Sequence, residues 1–275
     1  MATAFAAVKR ELLVRYLDTW APAALHGSRP ATYADLSADS VADALRVFAE
    51  FPELLAKHRL DVVTAAAVPG DLPKGLTVRA VTGDLLAELP RDGPLFVHLE
   101  APPTADELAQ LGGRRATELL LSLDPAAPVG RAEMRAAGFA SVAEVELVDS
   151  AGAVERLVFA TGSAKHLAAF KEAMWAVDEY AGVRYRDPLD SEHTVLDISL
   201  SPPVGPLKRA LLAQVRRGSS TVAELRDYAM AETIYQAADA SRVLTALLGS
   251  GALARTPERG RITAETVIRP GKAAA

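Results

Sequence analysis

The chain has 275 residues, of which half are apolar and 24% are charged, a composition typical of globular proteins. It contains no cysteine, which excludes disulfides, thiolate catalysis and cysteine metal ligands. The net charge of −5 is unevenly divided: residues 1–200 carry 19 Lys or Arg and 29 Asp or Glu, a charge of −10, whereas residues 201–275 carry 11 and 6, a charge of +5. This asymmetry predicts two domains with different partners.

The N-terminus lacks the basic segment and long apolar core of a secretory signal. No apolar run approaches the roughly 20 residues that span a bilayer. We therefore expect a soluble, cytoplasmic protein.

Strands and helices alternate along the first half of the chain. Residues 5–20 predict an amphipathic helix that ends near Pro22. The segment ATYADL predicts a short strand, and residues 40–57 predict a helix in which Ser40 and Asp43 form a capping box. Further elements are predicted at LDVVTAAAV, LTVRAV, PLFVHLE and TELLLSL (strands), at 85–89 (a helical turn), and after Thr104, whose spacing to Glu107 is that of a capping box.

The end of this first part has a different pattern. Residues 141–162, SVAEVELVDSAGAVERLVFATG, are two β-type runs around a turn, and a helix begins after Ser163. Alternating strands and helices predict a parallel sheet, here finished by an antiparallel hairpin. This is the arrangement of the class I methyltransferase variant of the Rossmann fold, which we assign to residues 1–182.

The remaining sequence predicts a linker and a smaller domain. Residues 183–203 have few apolar repeats and three prolines, so we expect a linker there. Residues 204–270 predict three short helices followed by a β-hairpin, which describes a winged helix-turn-helix; the second helix would open with a Thr221–Glu224 capping box and the third would cover about 237–249. Residues 271–275 are expected to form a disordered tail.

Two stretches resemble a known family, the three-Cys-motif partner proteins (TcmP-like). In RLVFATGSAKHLAAFKEAMWAVD the matching residues are Phe159, Ala160, Thr161, Lys171, Ala173, Met174, Trp175, Val177 and Asp178. The opening VKRELLVRYLDTWAPAA also resembles the first helix of that family. The resemblance implies a methyltransferase-like domain, a winged helix, and a radical-SAM protein as partner.

The positions where a cofactor would bind depart from the family pattern. The family has an Asp-Gly-Phe-Ala-Gly-x-Gly type sequence after its first strand; in residues 34–40 only Asp35 matches, and Leu36, Ala38 and Ser40 bring side chains into the space that glycine leaves for S-adenosylmethionine. The second strand ends without the carboxylate that would bind the ribose. We therefore expect no cofactor, with S-adenosylmethionine as the alternative and Asp35, Ser37 and Asp84 as its candidate contacts.

Other candidate residues have a structural interpretation beside the functional one. Asp84 lies where some methyltransferases bind the adenine amino group, but it would equally cap a helix. Glu100, in EAPP, is the candidate catalytic residue by likeness to base-methylating enzymes, and otherwise belongs to a proline turn into a capped helix. His98 on an apolar strand is interpreted as a core residue, Lys165 and His166 as surface residues, and no metal-ligand spacing occurs among the histidines.

The basic residues of the C-terminal part predict a nucleic-acid interface. They are Arg242, Arg255, Arg259, Arg261, Lys208 and Arg209, which could contact phosphates of DNA or RNA. The sequence thus predicts a non-catalytic, methyltransferase-like protein that acts as a nucleic-acid-associated binding or adaptor protein. Two alternatives remain open: an S-adenosylmethionine-dependent nucleic-acid methyltransferase with an atypical cofactor loop, and a protein-docking module without nucleic-acid binding.

Overall fold

The computed structural model describes residues 4–37, 40–66, 72–82, 86–178 and 182–271. These residues form a nine-stranded mixed sheet with its helices, followed by a helical module that carries a three-stranded sheet. The α/β class predicted from the sequence is confirmed. None of the helices in these ranges is long and apolar enough to cross a membrane.

The larger sheet has the strand order of a Rossmann-like, methyltransferase-type domain. Its strands are β1 (Ala31–Asp35), β2 (Leu60–Thr64), β3 (Leu76–Ala80), β4 (Leu95–Leu99), β5 (Thr117–Leu123), β6 (Ser141–Val148), β7 (Val154–Thr161), β8 (Arg184–Arg186) and β9 (Val195–Leu196). The first five are parallel in the order β3-β2-β1-β4-β5, the doubly wound order. β6 and β7 form the predicted hairpin, with β7 antiparallel between β5 and β6.

Helices cover the two faces of this sheet. They are α1 (Ala4–Leu25), α2 (Val41–Ala49), α3 (Pro52–Leu55), α4 (Ala105–Gly112), α5 (Arg131–Ala136) and α6 (Ala164–Trp175). α1 continues past Pro22, its predicted end, because Ala24 and Leu25 are buried in the core. The single helix predicted over 40–57 is two helices, since Pro52 cannot donate a backbone hydrogen bond and instead begins α3.

Alternate strand residues belong to two hydrophobic cores, one on each face. On one face Tyr16 of α1 packs edge-on against Phe159 and Phe170, with ring centroids 5.0 and 5.6 Å away. Phe159 and Phe170 themselves stack at 4.2 Å. Val97 and Leu121 lie in the other core, together with side chains of α4 and α5. Burial on both faces explains why the central strands β4 and β5 contain apolar runs, whereas the edge strand β3 is partly exposed.

The segment predicted as an exposed linker, residues 183–203, differs from that prediction. It contains β8, which pairs with β6, and β9, which pairs with β8. Tyr185 is fully buried, packs at 5.3 Å against the ring of Trp175, and donates a hydrogen bond to the Met174 carbonyl at 2.9 Å. The segment is therefore the edge of the sheet. Its few apolar residues gave no periodic signal because the two strands have only three and two residues.

The C-terminal module is built from α7 (Gly205–Arg217), β10 (Ser220–Thr221), α8 (Val222–Glu232), α9 (Ala237–Gly249), β11 (Leu253–Thr256) and β12 (Val267–Pro270). Its sheet is antiparallel in the order β10-β12-β11. The predicted Thr221–Glu224 capping box is present, and α9 has its predicted bounds. The second predicted strand, from Gly260, begins only at Val267. Of the predicted tail only Gly271 is described; its N–H donates to the Ala252 carbonyl at 3.0 Å.

The module and the larger sheet share one hydrophobic core. Leu207, Leu225 and Leu244 belong to the same cluster of buried residues as Tyr16 and Trp175. The charge asymmetry of the sequence thus does not correspond to a gap between two cores. The two parts share a core because Lys171 and Trp175 of α6 reach into the module.

Candidate functional site

The carboxyl edge of the parallel strands is the candidate ligand site. In open α/β sheets ligands bind beyond this edge, where the strand order reverses, here between β1 and β4. The register aligns Asp35, the last residue of β1, with Thr64 at the end of β2 and with His98 of β4. These three side chains stand side by side, and each is less than 5% exposed.

The carboxylate of Asp35 is the centre of a buried hydrogen-bond cluster. Oδ1 accepts bonds from the Ser37 N–H at 2.9 Å and the Ser37 hydroxyl at 2.8 Å. Oδ2 accepts bonds from the Tyr33 hydroxyl at 2.9 Å and the Ser40 hydroxyl at 2.5 Å. His98 Nδ1 lies 3.1 Å from the Ser40 hydroxyl and 3.5 Å from Asp35 Oδ1. An ionised carboxylate has about four lone-pair sites, so Asp35 is saturated by the chain itself.

The electrostatics of this cluster favour an ionised Asp35. Burial alone would raise the pKa of Asp35, but hydrogen bonding and attraction from His98, with the hydroxyls of Ser40 and Ser37, hold it below its ordinary value. The same cluster raises the pKa of the Tyr33 hydroxyl, first through burial and then through the charge of Asp35. The result is a fixed anion whose partners are already present.

The predicted capping box of Ser40 and Asp43 is absent. Ser40 makes no side-chain cap on α2, because its hydroxyl binds Asp35 instead. Asp43 pairs with Arg10 of α1 at 2.5 Å and with Arg46. Ser40 therefore closes the loop after β1, and Asp43 connects α2 to α1.

The end of β2 offers no carboxylate in the described residues. Thr64 is fully buried and its hydroxyl accepts the Ala66 N–H at 3.0 Å. Ala38, Asp71 and the candidate Asp84 lie outside the described residues. Leu36, at a position where a methyltransferase would have glycine, is half-buried.

Glu100, the candidate catalytic residue, is held in an ion pair. Lys9 of α1 lies 3.1 Å from the Glu100 carboxylate and 2.6 Å from that of Glu155. Burial would lower the pKa of Lys9, but its two carboxylate partners raise it above the ordinary value. The helix after Glu100 has the predicted Thr104–Glu107 capping box. The structure therefore places Glu100 in a bridge between α1 and the sheet edge.

A second polar cluster lies at the opposite, amino edge of the sheet. Glu118, at the start of β5, is 3% exposed and accepts hydrogen bonds from the Tyr16 hydroxyl and from His166 Nδ1, the latter at 2.6 Å. This hydrogen bond raises the pKa of His166 above its ordinary value, against a smaller opposing effect of burial. His166, interpreted from the sequence as a surface residue, is thus the partner of a buried carboxylate.

The largest feature that the sequence analysis missed is a cluster of cations around the end of α8. Lys171 of α6 is fully buried, and its Nζ lies 3.2, 2.7, 2.6 and 2.8 Å from the carbonyl oxygens of residues 229, 230, 233 and 235. Trp175 Nε1 donates to the Ile234 carbonyl at 3.0 Å. Arg131 and Arg135 of α5 both donate to the Ala231 carbonyl. We call this set the α8 clamp.

The α8 clamp has a simple electrostatic logic. The last carbonyls of a helix lack intrahelical partners and carry the negative end of the helix dipole, so cations stabilise them. Burial, followed by the charge of Arg131, lowers the pKa of Lys171 to about 7, while Asp187, Asp239 and Glu232 oppose this shift. The signal in the sequence was the position of Lys171, four residues after Leu167 on the buried stripe of α6.

The six predicted nucleic-acid contacts are not equivalent. Lys208, Arg259 and Arg261 are exposed. Arg242 is exposed and forms an ion pair with Asp239 at 2.9 Å. Arg255 is half-buried, and its Nη1 has no hydrogen-bond partner among the described residues. Arg209 binds Asp190 at 2.8 Å and Glu192 at 2.9 Å, so it fastens the edge of the sheet to α7.

A metal site does not emerge from these clusters. Within the described ranges, no group of three His, Asp or Glu side chains is arranged to hold a metal ion.

Comparison with known proteins yields structural neighbours only. No family model and no curated protein matches the chain. Among similar solved structures, EvdMO1 has a TM-score of 0.34 and 11% sequence identity, and the match covers 54% of this chain and 40% of that one. The delta-N METTL16 MTase domain has a TM-score of 0.32 and 13% identity, and the match covers 55% of this chain and 83% of that one. Precorrin-6y C5,15-methyltransferase from Geobacter metallireducens GS-15 has a TM-score of 0.30 and 10% sequence identity, and the match covers 52% of this chain and 87% of that one. The description of this fold as methyltransferase-like rests on the strand order of the chain itself.

Proposed function

We propose that this chain is a non-catalytic, methyltransferase-like adaptor whose C-terminal module binds nucleic acid. The observation that carries the first half of this proposal is the saturation of Asp35. In a methyltransferase the loop after the first strand leaves its acidic residue and backbone free for the cofactor. Here four internal hydrogen bonds occupy that carboxylate at the point where a ligand would enter.

The neighbouring positions support the same conclusion. The side chain of Leu36 stands where a glycine would let a ligand approach the backbone, and the Ser40 hydroxyl in the same loop is bound to Asp35. Thr64 occupies the end of β2, and its hydroxyl is engaged by a backbone N–H. Binding S-adenosylmethionine would require breaking buried hydrogen bonds, each of which leaves a polar group unsatisfied at a cost of ~1–3 kcal/mol.

Isothermal titration calorimetry with S-adenosylmethionine tests this half. We expect no heat of binding at cofactor concentrations up to the millimolar range. The alternative function, an S-adenosylmethionine-dependent nucleic-acid methyltransferase with an atypical loop, requires a micromolar dissociation constant, about −8 kcal/mol. Such a value, lost on substitution Asp35→Ala in a variant that still folds, would overturn the proposal.

For the second half, we interpret the C-terminal module as a winged helix. Three helices, α7 to α9, followed by the β11–β12 pair agree with that arrangement, in which α9 would be the reading helix. Support for a polyanionic ligand comes from Lys208, Arg259 and Arg261, which are exposed and form no ion pair among the described residues. Arg242 would have to leave Asp239 to contact a phosphate.

Salt dependence of binding tests the nucleic-acid role. Fluorescence anisotropy with labelled duplex DNA and single-stranded RNA should show log affinity falling with log salt by roughly 0.7–0.9 per phosphate contact. Alanine at Arg242, Arg255, Arg259 and Arg261 should flatten that slope. Arg29→Ala, a change at an exposed residue of the acidic part, is the matched control. Failure of both ligands to bind at low salt would leave the protein-docking alternative.

We also propose a relationship to the three-Cys-motif partner proteins. Its support is the segment containing Lys171, Met174 and Trp175, in which Lys171 and Trp175 donate hydrogen bonds to the module and Met174 is buried. The relationship implies a radical-SAM protein as partner. The relationship predicts that a radical-SAM protein is encoded beside this chain and that the two, when co-expressed, form a complex that stays together in size-exclusion chromatography.

A further inference from the structure

A groove separates α8 and α9 from the segment that precedes β12. Its volume is about 470 Å³, within the ~300–1,000 Å³ range of ligand pockets. It is lined by Val222, Arg226, Ser241, Leu244, Thr245, Arg261, Ile262, Thr263 and Ala264. We call it the α8–α9 groove. None of its lining residues belongs to the cluster around Asp35 at the carboxyl edge of the larger sheet.

The charge of the α8–α9 groove is positive and uncompensated. Arg226 and Arg261 are exposed, and neither forms an ion pair or a hydrogen bond within the described part of the chain. Among the residues that the structure describes, no carboxylate lines the groove. Of the acidic residues that neighbour the lining in sequence, Glu224 caps α8 with Thr221 and Asp239 binds Arg242, whereas Asp227 and Glu265 are exposed and lie outside the lining. Two guanidinium groups are therefore available to an anionic ligand.

The rest of the lining consists of four aliphatic residues and three with hydroxyl groups. Ile262 is 39% exposed, and the buried residues Val222 and Leu244 line the groove with it. The hydroxyls of Ser241 and Thr245 donate to carbonyls of their own helix, at 3.1 and 2.9 Å, so they have no proton left for a ligand. The described lining residues include no aromatic side chain on which a nucleic-acid base could stack.

We propose that the α8–α9 groove binds a short acidic peptide of a partner protein that places an aliphatic side chain against Ile262 and carboxylates on Arg226 and Arg261. Arginine pairs with carboxylates through two parallel hydrogen bonds, and an aliphatic residue covers the exposed apolar surface. A phosphodiester would satisfy the two arginines but leave the aliphatic lining uncovered. The net charge of −10 on residues 1–200 also favours a short occupant over a long polyanion.

A binding experiment on the full chain tests this site. The probe is a fluorescein-labelled octapeptide of alternating glutamate and leucine, and its control has glycine in place of leucine. We expect saturable binding of the leucine peptide at low salt, weakened at least about fivefold by Arg226→Gln and by Ile262→Ser. Arg259→Gln, which lies outside the groove, should leave peptide affinity unchanged. All three positions are exposed, and equal thermal unfolding of the variants checks that they fold.

The result also separates this site from the proposed nucleic-acid role. Because Arg261 belongs to both proposed surfaces, we expect duplex DNA to compete with the peptide, and the variants decide. Weaker peptide binding with unchanged DNA binding in Arg226→Gln and Ile262→Ser supports the proposal. No binding of either peptide, equal binding of the leucine and glycine peptides, or an unchanged affinity of both groove variants would overturn it. Displacement by DNA together with loss of DNA binding in Arg226→Gln would assign the groove to nucleic acid instead. The S-adenosylmethionine titration is independent of all these outcomes.

Discussion

Lys171 and Trp175 lie one turn apart on α6, and both donate hydrogen bonds to carbonyl groups at the end of α8 and in the turn that follows it. Through this pair, α6 of the larger domain caps the C-terminal end of α8 in the C-terminal module. The stability of the module therefore depends on a residue about 60 positions away in sequence.

Replacing Lys171 should destabilise the whole chain. Lys171→Met keeps the length of the side chain but removes a donor from the carbonyls of residues 230, 233 and 235, whereas the Ala229 carbonyl keeps its hydrogen bond from the Thr233 hydroxyl. We expect the free energy of unfolding to fall by about 3 kcal/mol. Lys165→Met, at an exposed position on the same helix, is the control. Urea denaturation followed by circular dichroism measures both. Equal stability of the two variants would show that the clamp contributes nothing.

His166 should make stability depend on pH. Its pKa is raised in the folded state by Glu118, so its contribution is fully present below the unfolded value of about 6.5 and is lost as pH rises through the folded pKa. The stability difference between wild type and His166→Asn should thus be largest at acidic pH and shrink above neutrality. Urea denaturation between pH 5.5 and 8.5 measures it. His193→Asn, at an exposed histidine, is the control variant.

Asp35 should have the opposite pH dependence. Because its folded pKa is lowered, its contribution is present above the unfolded value of about 3.9 and is lost as pH falls through the folded pKa. Asp35→Ala leaves four donors without their acceptor, and we expect a loss of about 3 kcal/mol at pH 7 that diminishes below pH 4. Asp92→Ala, at a residue 81% exposed, should change stability little. A neutral Asp35→Ala variant would contradict the buried network.

Arg209 and Arg259 should separate stability from nucleic-acid binding. Arg209 is engaged by Asp190, so Arg209→Gln should lower the free energy of unfolding by about 1 kcal/mol and leave nucleic-acid affinity unchanged. Arg259→Gln should leave stability unchanged and reduce the salt slope of binding by about one phosphate contact. Thermal unfolding and anisotropy on the same preparations measure both. The reverse pattern would show that Arg209 reaches the ligand.

Local signals in the sequence predicted most of the larger sheet correctly. Continuous apolar runs identified the parallel strands, and the turn at Ser150–Gly152 identified the β6–β7 hairpin. The Thr104–Glu107 and Thr221–Glu224 boxes identified two helix starts because each involves only neighbouring residues. Elements of this kind are determined within one short segment.

Contacts between distant segments were not predictable in the same way. Ser40 has two competing partners, the backbone of α2 and the carboxylate of Asp35, and only the folded chain shows that Asp35 is chosen. Likewise, the sequence indicated that Arg209 was free to bind phosphate, because its acceptor, Asp190, lies in a segment with no regular apolar pattern. Charge in a sequence indicates what a side chain can bind but not what it already binds.

The α8 clamp has a consequence for how such a chain could arise or be divided. A gene fragment ending near residue 203 would encode an α6 whose buried ammonium and indole had lost their oxygen acceptors. The complementary fragment would expose the unsatisfied end of α8. Neither fragment would be a self-contained unit for recombination. A module transferred to another protein would need Lys171 and Trp175 of α6, or equivalent donors, to satisfy its carbonyl groups.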